Sequence, residues 1–349
     1  MLKKYLSEKD ETRWHELVDK SRKITILGHT SPDGDAMGAT ICLCYYLKSL
    51  GKEATVVVPN YFPDFLAWLP GAADIVVAER NRIRGPRLIK EADLIFCVDF
   101  SEINRLEELS YVVENYHKGI IIIDHHLNPQ INGEIMVSDP QASSASELVF
   151  TLLWQLGGFE RMTTEMAQCI YCGMMTDTGA FTYNSSRSEV YYIISKLISK
   201  GIDKDKIYRA VYNNYSVERL RLEGYILKDK MIYFQEEHTS VYTLTREDMK
   251  AYHFKKGDAE GIVNMPLQIK GTKLSISLRE DTEKPLIRVS LRSVDDFPCN
   301  KMAEDFFNGG GHLNASGGTL EMTMDEALAQ TRRAIEAYRP LLCGNVIKQ

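Results

Sequence analysis

Residues 24–35 read Ile-Thr-Ile-Leu-Gly-His-Thr-Ser-Pro-Asp-Gly-Asp, an apolar run that gives way abruptly to polar, acidic and imidazole side chains. The apolar half predicts a buried strand, and the glycine and proline after it are typical of a turn. A helical pattern follows from about residue 36 to residue 50, and Gly51 is a typical residue just past the end of such a helix. The fold is therefore predicted to begin with a strand, an acidic turn and a helix.

Four further strands are predicted by short runs rich in β-branched residues. They cover residues 54–58, 75–77, 93–99 and 119–124, and helical patterns follow at 146–154, 164–176 and 189–200. Continuous apolar runs of this kind favour strands buried on both faces, as in a parallel sheet covered by helices. We therefore expect an α/β fold whose N-terminal domain has a mostly parallel sheet with helices on both faces.

The sequence beyond residue 224 has a different pattern, because its predicted strands alternate between apolar and polar residues. These strands cover 240–244, 274–279 and 286–292, a glycine-rich stretch follows at 309–318, and a helix is predicted at about 324–338. The alternation indicates a smaller, mixed α/β domain. A length of 349 residues favours two domains, and we expect a catalytic domain over 1–200, a linker over 201–224 and a substrate-binding domain over 225–349.

The composition is that of an ordinary globular protein, with 44% apolar and 26% charged residues. No apolar run approaches the roughly 20 residues that cross a bilayer, and the N-terminus has no apolar segment typical of a secretory signal. We therefore expect a cytoplasmic protein that does not bind membranes. The seven cysteines are scattered and indicate buried free thiols rather than a disulfide framework.

The net charge of −6, from 48 acidic and 42 basic side chains, argues against a protein that coats long nucleic acid. A phosphorylated substrate is still compatible with this charge. We expect its phosphate to be held locally, by metal ions or by a few Arg and His side chains, and we expect no long duplex as a partner.

Acidic and imidazole side chains fall at the ends of the predicted strands. These residues are His29, Asp33, Asp35, Asp99, Asp124, His125 and His126, and Asp177 ends a helical segment. The carboxyl ends of parallel strands line one crevice, so we expect the strand-end residues to lie together. Crowded carboxylates raise one another's pKa unless a cation is bound. A mixed imidazole and carboxylate shell suits Mn²⁺, Fe²⁺, Co²⁺ or Zn²⁺ more than Ca²⁺, and paired ions of this kind hydrolyse phosphoesters.

Each of these residues also has an ordinary structural interpretation. An Asp after a strand is often the N-cap of a helix, a histidine pair can lie in a solvated loop, and Pro32-Asp33-Gly34 is typical turn chemistry. The joint occurrence of the residues at one edge of one sheet favours the metal site over separate coincidences.

The spacing of the polar residues resembles that of a known family. His29-x3-Asp33-x-Asp35, Asp99 after a strand, the tripeptide Asp124-His125-His126 and Asp177 before Thr-Gly resemble, in this order, the DHH phosphoesterase family. The stretch from Gly309 to Gly318, which reads Gly-Gly-Gly-His-Leu-Asn-Ala-Ser-Gly-Gly, resembles the signature of the DHH-associated accessory domain, DHHA1. Together the two resemblances cover nearly the whole chain.

The family resemblance implies a pair of divalent ions, most simply two Mn²⁺. One ion would be held by His29, Asp33 and Asp99, and the other by Asp35, Asp99, His125 and Asp177, with Asp99 bridging. Asp124 would orient a ligand without touching an ion, and His126 would face the substrate phosphate. The catalytic candidates are therefore His126, Asp124 and Asp33.

The second domain offers candidate groups for binding the substrate. Glycine backbone can approach a ligand closely and donate N–H groups, and a guanidinium such as that of Arg292 can bind two phosphate oxygens. Arg288 is expected on the same strand face as Arg292, with Val289 and Leu291 on the other. The substrate-binding candidates are Arg288, Arg292, Ser293, Gly310, Gly311, His312 and Asn314. In the first domain, Phe181 and Tyr183 are candidates either for base stacking or for core packing.

Family members with only these two domains resemble nanoRNases, which degrade very short oligoribonucleotides to mononucleotides and dephosphorylate 3′-phosphoadenosine 5′-phosphate. The resemblance therefore implies a Mn²⁺-dependent hydrolase acting on short RNA or nucleotides. A phosphodiesterase of linear or cyclic dinucleotides is the alternative. A pyrophosphatase, an exopolyphosphatase and a non-catalytic nucleotide sensor rank lower. The sequence is compatible with a homodimer and does not decide the oligomeric state.

Overall fold

The chain folds into two compact units, one up to Asn214 and one from Tyr215 onward. The computed structural model describes residues 2–127, 129–255 and 257–344. The division falls within 201–224, the segment predicted as a linker, which holds one helix and most of a second. Asp203 and Ser216 cap these helices, and Ile207 joins the core of the first unit. Short amphipathic helices with mostly polar residues give a weak periodic signal, which is why the sequence did not predict them.

The first unit contains a six-stranded parallel sheet with the strand order β3-β2-β1-β4-β5-β6. Its strands are β1 (Lys23–Leu27), β2 (Glu53–Val58), β3 (Val76–Val77), β4 (Leu94–Val98), β5 (Gly119–Asp124) and β6 (Ile135–Ser138). Its helices are α1 (Glu8–Lys20), α2 (Gly34–Ser49), α3 (Arg84–Glu91), α4 (Ser110–Glu114), α5 (Ala145–Gln155), α6 (Thr164–Asp177), α7 (Ser188–Ser199) and α8 (Lys204–Tyr212). The five strands predicted for this unit are present, and β6 was not predicted.

Successive residues of each central strand enter different cores, because side chains alternate across a strand. Ile24 and Ile26 of β1 belong to the core under α2, α5 and α6, whereas Leu27 belongs to the core under α3 and α4. The same alternation separates Ile121 from Ile122 in β5. Burial of both faces explains the continuous apolar runs and confirms a sheet with helices on both sides.

The order of the strands opens a crevice between β1 and β4. From β1 the chain moves outward through β2 and β3, and it then returns to β4 and moves outward in the other direction through β5 and β6. The loops that follow β1 and β4 therefore diverge, and ligands of open α/β sheets bind at such a switch point, beyond the carboxyl ends of the strands.

Helix α6 approaches both α5 and α2 closely at a glycine. A Cβ atom at Gly173 of α6 would lie 2.0 Å from Oγ of Ser146 and 2.9 Å from Oδ1 of Asp35. Only glycine leaves enough space at this position. The close approach brings Asp35, in the first turn of α2, near Asp177, the last residue of α6.

The second unit contains a mixed sheet with the order β11-β12-β10-β9-β8-β7, parallel at β8–β9 and antiparallel elsewhere. Its strands are β7 (Met231–Phe234), β8 (Thr239–Leu244), β9 (Leu274–Glu280), β10 (Ile287–Ser293), β11 (Gly310–His312) and β12 (Ala315–Leu320). Its helices are α9 (Val217–Tyr225), α10 (Arg246–Ala251), α11 (Cys299–Phe306), α12 (Met324–Ala337) and α13 (Arg339–Cys343). These features confirm a mixed α/β second domain.

Two further expectations concern membranes and thiols. None of the helices in the described part of the chain is long and apolar enough to cross a bilayer. All seven cysteines are free thiols, and six of them are buried, as the scattered spacing predicted.

Candidate metal centre

The first group of candidate ligands forms around His29, which follows β1. Nδ1 of His29 lies 2.7 Å from the carbonyl oxygen of Thr30. Because a carbonyl can only accept, the proton of the neutral ring lies on Nδ1, and Nε2 keeps its lone pair. Nε2 lies 3.3 Å from Oδ2 of Asp99 and 3.9 Å from Oδ2 of Asp33. A metal-binding histidine is typically oriented by such a hydrogen bond from its other nitrogen.

Asp33 is both a helix cap and a candidate ligand. Its Oδ1 accepts hydrogen bonds from the backbone N–H groups of Asp35 at 2.9 Å and Ala36 at 3.1 Å, so it is the N-cap of α2. Its Oδ2 is the atom that faces His29. Asp33 can therefore cap α2 through Oδ1 and offer Oδ2 to a metal ion at the same time.

Asp99 lies between the two groups of ligands. It follows β4 with a left-handed φ of 65°, which costs a non-glycine residue free energy and is found mostly at functional sites. The side chain is buried, and no donor in the described part of the chain makes a well-aligned hydrogen bond to Oδ1. The nearest ring nitrogen to Oδ1 is Nε2 of His125, at 3.4 Å. A buried carboxylate oxygen in this situation fits a metal ligand.

The second group consists of Asp35, His125 and Asp177. Nε2 of His125 lies 3.9 Å from Oδ2 of Asp35 and 3.6 Å from Oδ2 of Asp177. The buried Asp35 carboxylate also accepts hydrogen bonds from the N–H groups of Ala145 at 2.5 Å and Ser146 at 2.8 Å, in the first turn of α5. A helix N-terminus stabilises a carboxylate, so α5 holds Asp35 in place.

His126 is arranged differently from His125. Its Nδ1 donates to Oδ1 of the fully buried Asp124 at 2.7 Å, and about a third of its side chain is exposed. Asp124 therefore orients His126. The sequence had indicated that Asp124 orients another side chain of the site but not which one. His126, Asp99 and His125 form a third group whose ligand atoms lie within 4.8 Å of one another.

The carboxylates of the cluster alter one another's ionisation. Burial raises the pKa of Asp35 well above its usual range, and the charges of Asp99 and Asp177 raise it further. Burial likewise raises the pKa of Asp177, although His125 opposes the shift. Burial also acts to raise the pKa of Asp99, but His125 and His29 hold it well below its usual range. Neighbouring carboxylates raise one another's pKa, and a bound cation stabilises their charged form.

The residues present fit two divalent ions. His29, Asp33 and Asp99 form one group, and Asp35, His125 and Asp177 form another, each with its ligand atoms within 4.8 Å of one another. Asp99 adjoins both groups, because its Oδ2 faces His29 and its Oδ1 faces His125. The structure therefore brings together all six residues that the sequence assigned to metal ions.

In the second unit, burial alternates along β10 as the sequence predicted. Arg288 is exposed and Arg292 half-buried, whereas Val289 and Leu291 lie in the core. Nε of Arg288 donates to the Asp281 carboxylate in the same hairpin. Nη1 of Arg292 donates to the carbonyl of Leu291 at 2.9 Å. Arg288 is therefore already engaged in an ion pair, which the sequence did not indicate.

Ser293 and Asn314 are hydrogen-bonded to each other. Ser293 is buried, its hydroxyl donates to the carbonyl of Phe297 at 2.8 Å, and Nδ2 of Asn314 donates to that hydroxyl at 2.9 Å. Nδ2 of Asn314 also donates to the carbonyl of Asp295 at 2.9 Å. These contacts stabilise the turn after β10, so the structure gives both residues an internal role.

The glycine-rich stretch forms β11 against β12. Gly311 has a φ of 138°, and a Cβ atom there would lie 2.6 Å from the carbonyl oxygen of Ala315. Strand packing therefore accounts for this glycine without a ligand. A Cβ atom on Gly310 would meet only Cγ of Glu304, at 4.0 Å, and both Gly310 and His312 are half-buried.

Some groups that shape the site were not found from the sequence. They include the Thr30 carbonyl, which orients His29, and the N–H groups of Ala145 and Ser146, which hold Asp35. Backbone groups carry no residue-type signal, so only the three-dimensional structure identifies them. Of the two aromatic candidates, Phe181 packs beside Tyr171 with ring centroids 5.5 Å apart, and Tyr183 is about half exposed.

Comparisons with known proteins agree with the fold of each unit. Residues 23–174 match the DHH family, N-terminal domain, and residues 243–338 match the DHHA1 domain. A bifunctional oligoribonuclease and PAP phosphatase, NrnA, from Thermus thermophilus is 30% identical over 90% of this chain and 89% of its own. The crystal structure of an exopolyphosphatase-related protein from Bacteroides fragilis is 49% identical, with a TM-score of 0.94 over 98% of this chain and 99% of that one. The cyclic-di-AMP phosphodiesterase GdpP of Geobacillus thermodenitrificans is 28% identical over 93% of this chain but only 48% of its own.

Proposed function

The chain belongs to the DHH family of phosphoesterases, and we propose that it hydrolyses short oligoribonucleotides to mononucleotides and dephosphorylates 3′-phosphoadenosine 5′-phosphate with two Mn²⁺ ions. The observation that carries this proposal is the Asp99 carboxylate, whose two oxygens face His29 at 3.3 Å and His125 at 3.4 Å. A carboxylate shared in this way is the ligand that a pair of ions requires.

His29, Asp33 and Asp99 would hold one ion, and Asp35, Asp99, His125 and Asp177 the other. Bound ions of this kind lower the pKa of water and neutralise the charge of a phosphoryl group. The protein holds the ligands in place through the hydrogen bond of His29 to Thr30 and through the start of α5, which binds Asp35. Asp33 contributes to catalysis by fixing the turn before α2 as well as by binding an ion.

His126 is the proposed contact to the substrate phosphate. Because Nδ1 donates to Asp124, the ring orientation is fixed and Nε2 lies on the side of the ring away from that carboxylate. The partial exposure of His126 suits a group that meets substrate, whereas His125 is buried among the carboxylates. Asp124 acts through His126 and is a positioning residue in this proposal.

The choice of substrate rests on how the relatives match. The Thermus thermophilus relative, named for oligoribonuclease and PAP phosphatase activity, matches over 89% of its length, and a Streptococcus mutans relative named in the same way matches over 88%. The match to GdpP covers only 48% of that protein. A dinucleotide phosphodiesterase is therefore the second candidate. An exopolyphosphatase is a third, because of the description of the Bacteroides fragilis protein.

In the second domain we assign substrate contacts first to Arg292, Gly310 and His312. The two half-buried β11 residues and the strand face that carries Arg292 offer backbone N–H, imidazole and guanidinium donors for phosphate or ribose. Gly311 is exposed and adds a further backbone group. A substrate contact by Arg288, Ser293 or Asn314 stays a prediction, because each of these side chains already has a hydrogen-bond partner within the domain.

The test is a substrate panel offered to the purified, metal-loaded chain. The panel contains RNA dimers to pentamers, 3′-phosphoadenosine 5′-phosphate, linear and cyclic diadenylate, pyrophosphate and polyphosphate, each with Mn²⁺, with Mg²⁺ and with chelator. We expect the highest kcat/KM on the short RNAs or on 3′-phosphoadenosine 5′-phosphate, and no turnover with chelator. Preferred hydrolysis of a dinucleotide or of polyphosphate would contradict the proposed substrate, and binding without any turnover would indicate a nucleotide sensor.

A further inference from the structure

A basic residue that the sequence did not single out, Arg105, lies in a segment whose backbone contacts the loop of His29. Arg105 belongs to the 3₁₀ segment Ile103–Leu109, which follows β4 and Asp99. Its backbone carbonyl accepts a hydrogen bond of 2.7 Å from the N–H of Thr30, the residue whose own carbonyl orients His29. One backbone hydrogen bond therefore ties Arg105 to the loop that carries His29.

The position of this contact matters for ligand binding. Arg105 comes from the loop after β4, and Thr30 comes from the loop after β1, so their hydrogen bond spans the switch point of the sheet. Ligands of open α/β sheets bind beyond the strand ends at this point. A cationic residue whose backbone is held at this point is suitably placed to meet an anionic ligand.

The side chain of Arg105 is half-buried and has no hydrogen bond or salt bridge to any residue that the structure describes. Its charge nevertheless acts on the metal centre. Burial lowers the pKa of His29, the carboxylates of Asp99 and Asp33 raise it above the usual value, and Arg105 opposes that rise. The positive charge of Arg105 therefore acts to lower the pKa of His29, in keeping with the backbone contact between Arg105 and Thr30.

Other cations near this edge of the sheet are already paired. Nζ of Lys3 lies 2.7 Å from the carboxylate of Asp139, which follows β6. Nη2 of Arg187 donates to both carboxylate oxygens of Glu147, in the first turn of α5, at 2.6 Å. These pairs neutralise both cations locally, whereas the charge of Arg105 has no such partner among the described residues.

We propose that Arg105 is a substrate-binding residue that holds a phosphoryl oxygen of the ligand at the metal centre. The inference rests on the proposed function, because it takes the anion to be the phosphate of a nucleotide or short RNA. A guanidinium can donate two parallel hydrogen bonds to a phosphate group, and such charge-assisted bonds are about twice as strong as neutral ones. Its partner is a phosphate group rather than a base, so the contact does not depend on base identity.

The test uses inorganic phosphate as the probe and compares wild type with Arg105→Ala, Arg105→Lys and Arg161→Ala. Arg161 is exposed and follows the far end of α5, so its replacement removes the same charge away from the site. Phosphate binding to the Mn²⁺-loaded protein is measured by calorimetry, and KM and kcat are measured on the best substrate of the wild type. Mn²⁺ affinity and Tm are measured for every variant.

We expect Arg105→Ala to weaken phosphate binding and to raise KM by about 10- to 100-fold, with Arg105→Lys intermediate. Arg161→Ala should match the wild type, and Mn²⁺ affinity should be preserved in all variants. Unchanged phosphate binding in Arg105→Ala would overturn the inference. A loss of phosphate binding explained by an equal loss of Mn²⁺ affinity would also overturn it, because Arg105 would then only support the His29 loop.

The two proposals fail in different ways. Calorimetry with phosphate needs no turnover, so it tests Arg105 even if no substrate in the panel is hydrolysed. Phosphate binding that depends on Arg105 without any hydrolysis would overturn the proposed enzyme and retain the binding residue. Hydrolysis that is insensitive to Arg105→Ala would retain the enzyme and overturn the binding residue.

Discussion

Nε2 of His29 lies 3.3 Å from Oδ2 of Asp99, and this contact joins the ends of the two strands between which the sheet changes direction. His29 follows β1 and Asp99 follows β4, which are neighbours in space but are separated in sequence by α2, β2, β3 and α3. The topology of the sheet therefore creates the pairing, and the left-handed backbone of Asp99 turns its carboxylate toward both candidate ligand groups.

Replacing Asp99 by Asn should separate metal binding from folding. Asn keeps the size of the side chain and tolerates the left-handed φ of 65° better than most residues. The variant loses the charge that faces both histidines, so we expect Mn²⁺ affinity to fall by at least about 100-fold, beyond the usual effect of a residue that only supports a ligand. Hydrolysis should be abolished, while the circular dichroism spectrum matches the wild type. Wild-type turnover by this variant would disprove the shared-ligand assignment.

Replacing Asp124 by Asn should give a different result. Asp124 contacts Nδ1 of His126 and is not in any group of candidate ligands with its atoms within 4.8 Å. We therefore expect kcat to fall by about 100-fold, as for a residue that orients a catalytic group, while Mn²⁺ affinity stays at the wild-type value. The measurements are steady-state kinetics and a Mn²⁺ titration. A parallel loss of Mn²⁺ affinity would instead place His126 among the metal ligands.

The sequence predicted the parts of the centre that depend on residue type and strand order. Acidic and imidazole residues after apolar runs are visible in one dimension, and a parallel sheet brings strand ends to one edge. It could not show that Thr30 orients His29, because that contact is made by a backbone carbonyl. Nor could it show that Asp281 engages Arg288, since hairpin contacts depend on register and rotamer. The two short capped helices within 201–224 were missed for a related reason, because in sequence they resemble a polar connector.

Gly173 offers a test of how closely α6 must approach α5 and α2. A methyl group at this position would lie 2.0 Å from Oγ of Ser146 and 2.9 Å from Oδ1 of Asp35. We expect Gly173→Ala to lower the free energy of unfolding by about 1–3 kcal/mol through overpacking and to weaken Mn²⁺ binding by displacing Asp35. Gly224→Ala in α9 is the control, because no atom lies within 4 Å of its Cβ position. That substitution should be neutral or slightly stabilising. Equal stability of the two variants would contradict the close approach.

The second domain should lose stability in acid through Asp248. Burial acts to raise the pKa of this carboxyl, but the backbone N–H of Thr245 and the ammonium of Lys230 at 2.9 Å lower it to about 2. Because the folded pKa lies below the unfolded one, the stabilisation is present above about pH 4 and is lost as the pH falls toward 2. Asp248→Asn should therefore cost about 1–2 kcal/mol at pH 7 and much less near pH 2. Denaturant unfolding at both pH values measures this, and a pH-independent difference would contradict the assignment.

Tyr183 follows an unusual turn that begins just after Asp177. Gly179, Ala180 and Phe181 have φ values of 54°, 59° and 63°, so three successive residues after α6 are left-handed. The carbonyl of Thr178 accepts the N–H of Tyr183 at 2.9 Å and stabilises this turn. The tyrosine ring lies over Gly179, two residues beyond Asp177, since a Cβ atom on that glycine would be 2.6 Å from the ring.

About half of the Tyr183 side chain is exposed, and its ring lies against Gly179, two residues after the candidate metal ligand Asp177. This arrangement favours base stacking over core packing. We expect Tyr183→Ala to raise KM for RNA dimers and trimers by about 5- to 100-fold, the usual effect of losing one stacked base, with little change in Tm. Tyr183→Phe keeps the aromatic face and should preserve KM. Tyr191→Ala is the matched control, because that tyrosine is 54% exposed on α7. An unchanged KM in Tyr183→Ala, or an equal increase in Tyr191→Ala, would rule out stacking by this ring.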